Sequence, residues 1–205
     1  MISASYRLLA ATLNIAAAIA VLPLLQGCFP LVAAGAGTAA MVAADRRQPD
    51  VVLGDQRIEL SASNRINERF RESHVNVTSF NRVVLLTGEA QTAQMKADIE
   101  RLVAEITEVK SVVNELQVAG PSSFGSRSND TYLTGKVKAS FIGADKFSPN
   151  DVKVITEAGV VYLMGLVTRK EADDATEAAR STGGVQKVVR VFEYVVTPTT
   201  PAPAK

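Results

Sequence analysis

The 205-residue chain has few of the side chains on which catalytic and metal sites depend. It contains one cysteine, Cys28, one histidine, His74, and no tryptophan. A single cysteine cannot form a disulfide within the chain, so each folded unit must be held by core packing. Aromatic residues make up only 5% of the sequence, which favours an aliphatic core. No G-x-S-x-G nucleophile motif occurs, and we predict no catalytic residues, no metal site and no cofactor.

Strong charge of either sign is also missing. The chain has 22 basic and 21 acidic residues, and Arg7 is the only charged residue before Cys28. From Cys28 onward the two signs therefore cancel, and no global field attracts nucleic acid. His74 precedes a strand pattern with no acidic pair near it in the sequence, so we expect it at the surface or at a strand edge. These features predict a binding protein that is not an enzyme and has no nucleic-acid partner.

The N-terminal segment has the layout of a secretory signal. Arg7 is followed by a mostly apolar stretch over residues 8–25, and the segment ends in Leu24-Leu25-Gln26-Gly27-Cys28. This ending resembles the lipobox of bacterial lipoproteins. The resemblance implies cleavage before Cys28, a diacylglycerol on its sulfur, and an acyl chain such as palmitate on its new N-terminus.

Two or more acyl chains hold a protein stably on a membrane, so Cys28 would be a lasting anchor. The alternative is an uncleaved transmembrane helix, because about 18 apolar residues can span a bilayer. Asn14 and Pro23 weaken that alternative. Phe29 follows the cysteine where the lipoprotein family has Asp for inner-membrane retention, which implies the periplasmic face of the outer membrane.

An internal repeat organises the rest of the chain. Residues 74–88 match residues 151–165 at an offset of 77. In both segments apolar and polar residues alternate, two or three turn-forming residues follow, and an apolar run comes next. This pattern predicts a β-hairpin in each repeat, with turns at Asn81-Arg82 and Ala158-Gly159. Gly88 and Gly165 end the two hairpins, where we assign them a structural role through positive φ or close approach.

Helical and β-branched segments complete each repeat. Apolar residues recur at helical spacing over residues 92–106 and 170–181, and β-branched strands follow over residues 111–118 and 187–197. A further helix precedes each hairpin. We align these two helices at an offset of 71, which places six extra residues of the second repeat near residues 143–150. The predicted fold is α+β: two tandem αββαβ modules, each a three-stranded mixed sheet with two helices on one face.

This pattern resembles the BON domain in both repeats. With the lipobox, the segments 129–132 and 161–167 make the chain similar to the dual-BON outer-membrane lipoproteins of the DolP family. The resemblance implies binding of anionic phospholipid, phosphatidylglycerol or cardiolipin, through the second module. It also implies a role in outer-membrane integrity at the division site. The predicted domains are a signal peptide (1–27), a lipidated N-terminus and Ala/Gly-rich tether (28–55), BON domain 1 (56–119), a linker (120–127), BON domain 2 (128–197) and a disordered tail (198–205).

The first helix of the second module has two apolar sides. Leu133, Val137 and Phe141 form its core stripe, and at 100° per residue a second apolar arc lies beside that stripe. The predicted phospholipid-binding residues are those of this arc and one flanking lysine: Tyr132, Gly135, Lys136, Ala139, Ile142 and Gly143. In the alignment at offset 71 the arc replaces Ser61, Asn64, Glu68, Arg71 and Glu72 of the first module. A helix of this kind needs two partners, and one of them is its own sheet.

The second partner of the arc is left open by the residues alone. A bilayer fits, because Tyr132 suits a membrane interface and Lys136 and Lys138 each contribute about 1 kcal/mol near anionic headgroups. The first module also fits, because small residues allow close helix packing. A protein-interaction adaptor for an outer-membrane assembly factor is the alternative function. Asp45-Arg46-Arg47 is equally consistent with headgroup contact and with solvated charge.

Overall fold

A computed structural model describes residues 45–195 of the chain. The predicted signal peptide, Cys28, most of the tether and the C-terminal tail lie outside the described residues. Both repeats belong to one compact unit. None of the helices in residues 45–195 combines the length and the apolar character that crossing a membrane requires.

The described residues form two successive αββαβ modules, which confirms the predicted fold class. The first contains α1 (Pro49–Arg69), β1 (His74–Phe80), β2 (Val83–Ala90), α2 (Ala93–Ala104), β3 (Ser111–Asn114) and β4 (Gln117–Val118). The second contains α3 (Phe124–Ala144), β5 (Val152–Glu157), β6 (Val160–Val167), α4 (Arg169–Arg180) and β7 (Lys187–Tyr194). A single 3₁₀ turn, Pro149–Asp151, precedes β5.

Both sheets are mixed. β1 pairs antiparallel with β2, and β2 pairs in parallel with β3 and β4 on its other edge. In the second module β5 and β6 are antiparallel, and β7 runs parallel to β6. The strand predicted over residues 111–118 is interrupted between Asn114 and Gln117. There the side chain of Leu116 enters the core, and its backbone N–H donates to Oδ1 of Asn114.

The predicted hairpin turns are confirmed. Asn81 and Arg82 have φ of 53° and 68°, and Ala158 and Gly159 have φ of 49° and 74°. Two consecutive residues with positive φ give the two-residue turn whose twist matches that of the flanking strands. Strand pairing begins directly beside each turn, at Phe80 with Val83 and at Glu157 with Val160.

The alignment of the first helices at offset 71 is wrong by one helical turn. Helices α1 and α3 are both 21 residues long, and both their starts and their ends are 75 residues apart. The buried residues that correspond are Ile58, Ala62 and Ile66 in α1 and Leu133, Val137 and Phe141 in α3. Apolar residues recur every four positions in both stripes, so a shift of four residues leaves the pattern unchanged. With the helix offset corrected to 75 and the hairpin offset at 77, the second module has two extra residues between its first helix and its hairpin, and not six.

Each module has an aliphatic core between its sheet and its helices. Val84, Leu86 and Ile99 are completely buried in the first core. In the second core, helix α4 contributes only alanines to the fully buried set, and these let the helix lie close to its sheet. The predicted aliphatic character is confirmed in both cores.

A third core lies between the modules and joins the sheet faces that carry no helices. Its buried members are Phe80 and Leu85 from the first sheet and Tyr162 and Met164 from the second. Strands β2 and β6 are therefore buried on both faces. Burial, reinforced by the carboxylates of Glu115 and Glu157, raises the pKa of Tyr162 to about 12.

Candidate functional site

The apolar arc of α3 is an exposed surface. Tyr132 and Ile142 are 67% and 71% exposed. A side chain added at Gly135 or Gly143 would meet no atom within 4 Å. The modules meet through their sheets, so the alternative in which the arc packs against the first module is wrong.

Phe124 extends this surface, and the sequence reading missed it by placing it in the linker. It is the first residue of α3 and is 85% exposed. At 100° per residue it projects in the same direction as Ile142, 18 positions later. With Phe124 included, the arc extends to Gly143 over about 28 Å of helix. We call Phe124, Tyr132, Gly135, Ala139, Ile142 and Gly143 the α3 surface.

Cationic side chains flank the α3 surface. Lys136 donates to the carbonyl of Gly183, and its Nζ lies 5.7 Å from the ring centroid of Tyr132. Lys138 is exposed, and together with Ile142 it lines a 370 Å³ groove that leads towards the module junction. The apolar surface thus has a positive charge on each side.

The first helix of the first module is more polar at the positions that correspond to the predicted arc. At the corrected offset of 75, the five predicted arc positions correspond to Arg57, Leu60, Asn64, Asn67 and Glu68 in α1. Four of these five are polar, so the contrast between the modules remains although each predicted pair was misaligned. Leu60 is 65% exposed, and Leu53, seven residues earlier on the same side of α1, is 55% exposed, so the first module carries a smaller apolar patch.

The segment Asp45-Arg46-Arg47 forms ion pairs with both modules, which neither alternative for it included. Arg46 reaches the second module, where Nη2 lies 2.7 Å from Oε1 of Glu171 and 3.0 Å from Oδ2 of Asp151. Arg47 stays with the first module: its Nη1 is 2.7 Å from Oδ2 of Asp55.

The ion pair between Arg46 and Glu171 makes stability depend on pH. The hydrogen bond from Arg46 is the main cause that lowers the pKa of Glu171 from its ordinary 4.5 to about 2. Burial raises the pKa of Asp151, and Arg46 opposes that rise. A carboxylate with a lowered pKa stabilises the fold above its ordinary pKa, and this contribution is lost as the pH falls through the folded value.

We expect Arg46→Ala to raise the pKa of both carboxylates. The free energy of unfolding of the wild type should then exceed that of the variant by an amount that grows as the pH rises from about 2 to about 5. Urea unfolding at several pH values measures this difference. Arg65→Ala, at an exposed position of α1, is the control and should show a constant difference. A constant difference for Arg46→Ala would contradict the ion-pair explanation.

Two buried aspartates that the sequence reading did not single out hold the hairpin turns. Asp55 accepts hydrogen bonds from the backbone N–H groups of Asn81 and Arg82 at 2.8 and 2.7 Å. Asp130 accepts from those of Ala158 and Gly159, each at 2.9 Å. The two aspartates are 75 residues apart, so the corrected helix alignment would have found them.

His74 does have acidic neighbours, contrary to expectation. Its Nδ1 lies 3.0 Å from Oε2 of Glu89, its cross-strand partner in the β1–β2 register. Glu157 of the second module completes a group of three. The sequence did not predict this group because its members are far apart in the chain and come together only through strand pairing and the docking of the two modules.

The fold defines a protein of two tandem α+β modules, and these modules differ on the surfaces of their first helices. Residues 54–120 and 129–195 each match the BON domain family. The chain belongs to this family, as a dual-BON member of the DolP group.

Three relatives illustrate this membership. The chain is 36% identical over 174 residues to the outer membrane lipoprotein DolP of Haemophilus influenzae, which covers 83% of the chain and 90% of the relative. It is 35% identical to a 21 kDa hemolysin of Actinobacillus pleuropneumoniae, over 60% of the chain and 64% of the relative. It is 27% identical to the osmotically-inducible protein Y of Escherichia coli, over 60% of the chain and 62% of the relative.

Proposed function

We propose that this protein is an outer-membrane lipoprotein, anchored through Cys28, whose second BON module binds anionic phospholipid. In this proposal it supports outer-membrane integrity at the division site. The Haemophilus relative, described as an outer membrane lipoprotein, supports the location. The observation that carries the binding role is the exposed α3 surface, which is longer than the exposed pair Leu53 and Leu60 on the first module and, unlike that pair, contains aromatic residues.

The α3 surface has the chemistry of a membrane interface. Phe124 and Ile142 offer apolar side chains, and Tyr132 adds a ring with a polar tip, which suits the boundary between headgroups and acyl chains. The small residues Gly135 and Gly143 let the helix approach lipid closely. Lys138 lies within reach of anionic headgroups.

The expected affinity of this surface alone is weak. Full burial of a large apolar side chain contributes about 1.5 to 3 kcal/mol, and a peripheral helix buries its side chains only in part. Each nearby lysine adds about 1 kcal/mol on an anionic surface. An acylated Cys28 would offset this weakness, because a tether turns the second contact into an intramolecular event.

Vesicle sedimentation tests the proposal. Residues 45–205, which lack the anchor, should bind phosphatidylglycerol vesicles and not phosphatidylcholine vesicles. We expect Tyr132→Glu and Ile142→Glu each to weaken binding by about tenfold or more, because a carboxylate would have to enter an anionic interface. Circular dichroism and urea unfolding confirm that each variant folds.

Leu60→Glu is the matched control, because it places the same charge on an equally exposed apolar residue of the first module. It should leave vesicle binding unchanged. Equal losses for Leu60→Glu and Tyr132→Glu would show that net charge, and not the α3 surface, governs binding. If the folded wild type bound neither vesicle, lipid recognition would be rejected in favour of the protein-adaptor function.

A further inference from the structure

His74, Glu89 and Glu157 form a compact group of potential metal ligands at the junction of the modules. One ligand atom from each side chain lies within 4.8 Å of the others. His74 and Glu89 come from the paired strands β1 and β2, and Glu157 ends strand β5 of the second module. The group therefore contains residues from both modules.

The group is buried and rich in negative charge. Glu89 and Glu157 are each only 6% exposed. Burial raises the pKa of Glu157, and the charges of Glu89 and Asp130 act in the same direction, against a hydrogen bond from Asn76 and the charge of His74. A cation between the two carboxylates would relieve this repulsion.

Arg127 is the arginine beside this group, and it binds Ser122, whose backbone N–H donates to Oε2 of Glu89 at 3.0 Å. It lines the same 240 Å³ cavity as His74 and Glu157. Its guanidinium, however, donates twice to the backbone carbonyl of Ser122, through Nη2 at 2.8 Å and Nε at 3.3 Å. The cavity gives an ion access to two members of the group, His74 and Glu157.

A buried hydroxyl two residues from Glu89, on the same face of the sheet, provides an independent observation. Thr87 is 1% exposed, and its Oγ1 has no hydrogen-bond partner among residues 45–195. Thr87 is the register partner of Asn76 and precedes Glu89 by two residues, so its side chain lies on the same sheet face as the group. Buried hydroxyls without a partner are rare in native structures, and an ion with its bound water would supply one here.

We propose that His74, Glu89 and Glu157 bind a divalent transition metal of the Zn²⁺ class, which joins the two modules. One imidazole nitrogen and two carboxylate oxygens suit zinc, with a fourth position left for water. Zinc–ligand bonds of about 2.0 to 2.2 Å place ligand atoms about 3.5 Å apart. His74 Nδ1 and Glu89 Oε2, at 3.0 Å, are already this close, so any shortening falls on the separations from Glu157, which are at most 4.8 Å. Asn76, whose Nδ2 lies 2.8 Å from Oε2 of Glu157, orients that carboxylate.

The test uses the full chain, purified in detergent without a polyhistidine tag and titrated with ZnCl₂. His74 is the only histidine, so imidazole ¹⁵N NMR reports on one side chain. We expect one Zn²⁺ per chain in calorimetry and a saturable shift of the His74 nitrogens. Mg²⁺, which prefers all-oxygen sites, should leave the imidazole signals unchanged.

Variants separate metal binding from loosening of the junction. His74→Ala and Glu157→Gln should each weaken Zn²⁺ binding by about 100-fold, whereas Glu59→Gln should leave it unchanged. Glu59 also bridges the modules, through Lys153 at 2.8 Å, and it lies outside the group. The proposal is rejected if saturating Zn²⁺ leaves the His74 signals of the wild type unchanged. It is also rejected if a folded His74→Ala variant binds as tightly as the wild type.

Discussion

Replacing Asp55 by alanine is expected to lower the free energy of unfolding by about 3 to 5 kcal/mol. This buried carboxylate accepts four hydrogen bonds: from Oγ of Ser79 at 2.6 Å, from the backbone N–H groups of Asn81 and Arg82, and from Nη1 of Arg47 at 2.7 Å. Alanine would leave Asp45 as the remaining carboxylate partner of the Arg47 guanidinium and would free both turn N–H groups. The loss therefore includes the cost of uncompensated buried donors.

Urea unfolding monitored by circular dichroism measures the loss. Asp130→Ala removes two charge-assisted hydrogen bonds to the second turn, but Asp130 has no arginine partner among residues 45–195. Its effect on the free energy of unfolding should therefore be smaller, at about 2 to 3 kcal/mol. Asp50→Ala, at an exposed position in the first turn of α1, is the control and should cost less than about 1 kcal/mol. If Asp55→Ala cost no more than Asp50→Ala, the carboxylate would not be what holds the turn.

Replacing Gly88 by alanine should destabilise the protein by about 3 to 5 kcal/mol. Gly88 has φ of +106°, which L-residues with a side chain rarely adopt, and a Cβ there would collide with the backbone carbonyl of His74. That carbonyl belongs to the paired strand and cannot move without breaking the register. A Cβ at Gly165 would likewise collide with the backbone carbonyl of Asp151, but Gly165 does not have a positive φ. Gly165→Ala should therefore lower the free energy of unfolding by less than Gly88→Ala.

Gly135→Ala provides a control of opposite sign. This helical glycine has open space around it, and alanine should stabilise α3 by up to about 1 kcal/mol. Thermal and urea unfolding of the three variants give the ranking directly. A Gly88→Ala variant as stable as Gly165→Ala would show that the strand edge relaxes enough to accept a side chain.

Local patterns predicted most of the fold. Alternating apolar and polar residues followed by turn-forming residues predicted both hairpins. The turns at Asn81 and Ala158 lie at the predicted positions. The helix alignment failed because a four-residue shift preserves an i, i+4 stripe. Docking of the sheets was not predicted, although the continuous apolar runs of β2 and β6 indicated burial on both faces.

Contacts between distant segments account for the rest of what the sequence did not reveal. Arg46 meets Glu171 and Asp151 only because the modules dock, and a basic pair beside a tether has no local signature of such partners. Glu157 approaches His74 for the same reason. The apolar arc was predictable because helical projection is local, whereas its exposure depended on which faces the modules use to meet.

Through the core between the two sheets, the two modules of this chain pack against each other as the two subunits of a homodimer would. Leu85 and Tyr162 are equivalent at the hairpin offset of 77, and both lie in this core. Each module thus buries the same face that its copy buries, as in an isologous contact between identical subunits. The linker keeps the partner at high effective concentration, so these apolar faces stay covered however dilute the protein is. The contact between the two sheets is therefore independent of protein concentration, and it leaves the helix layers of both modules on the outside.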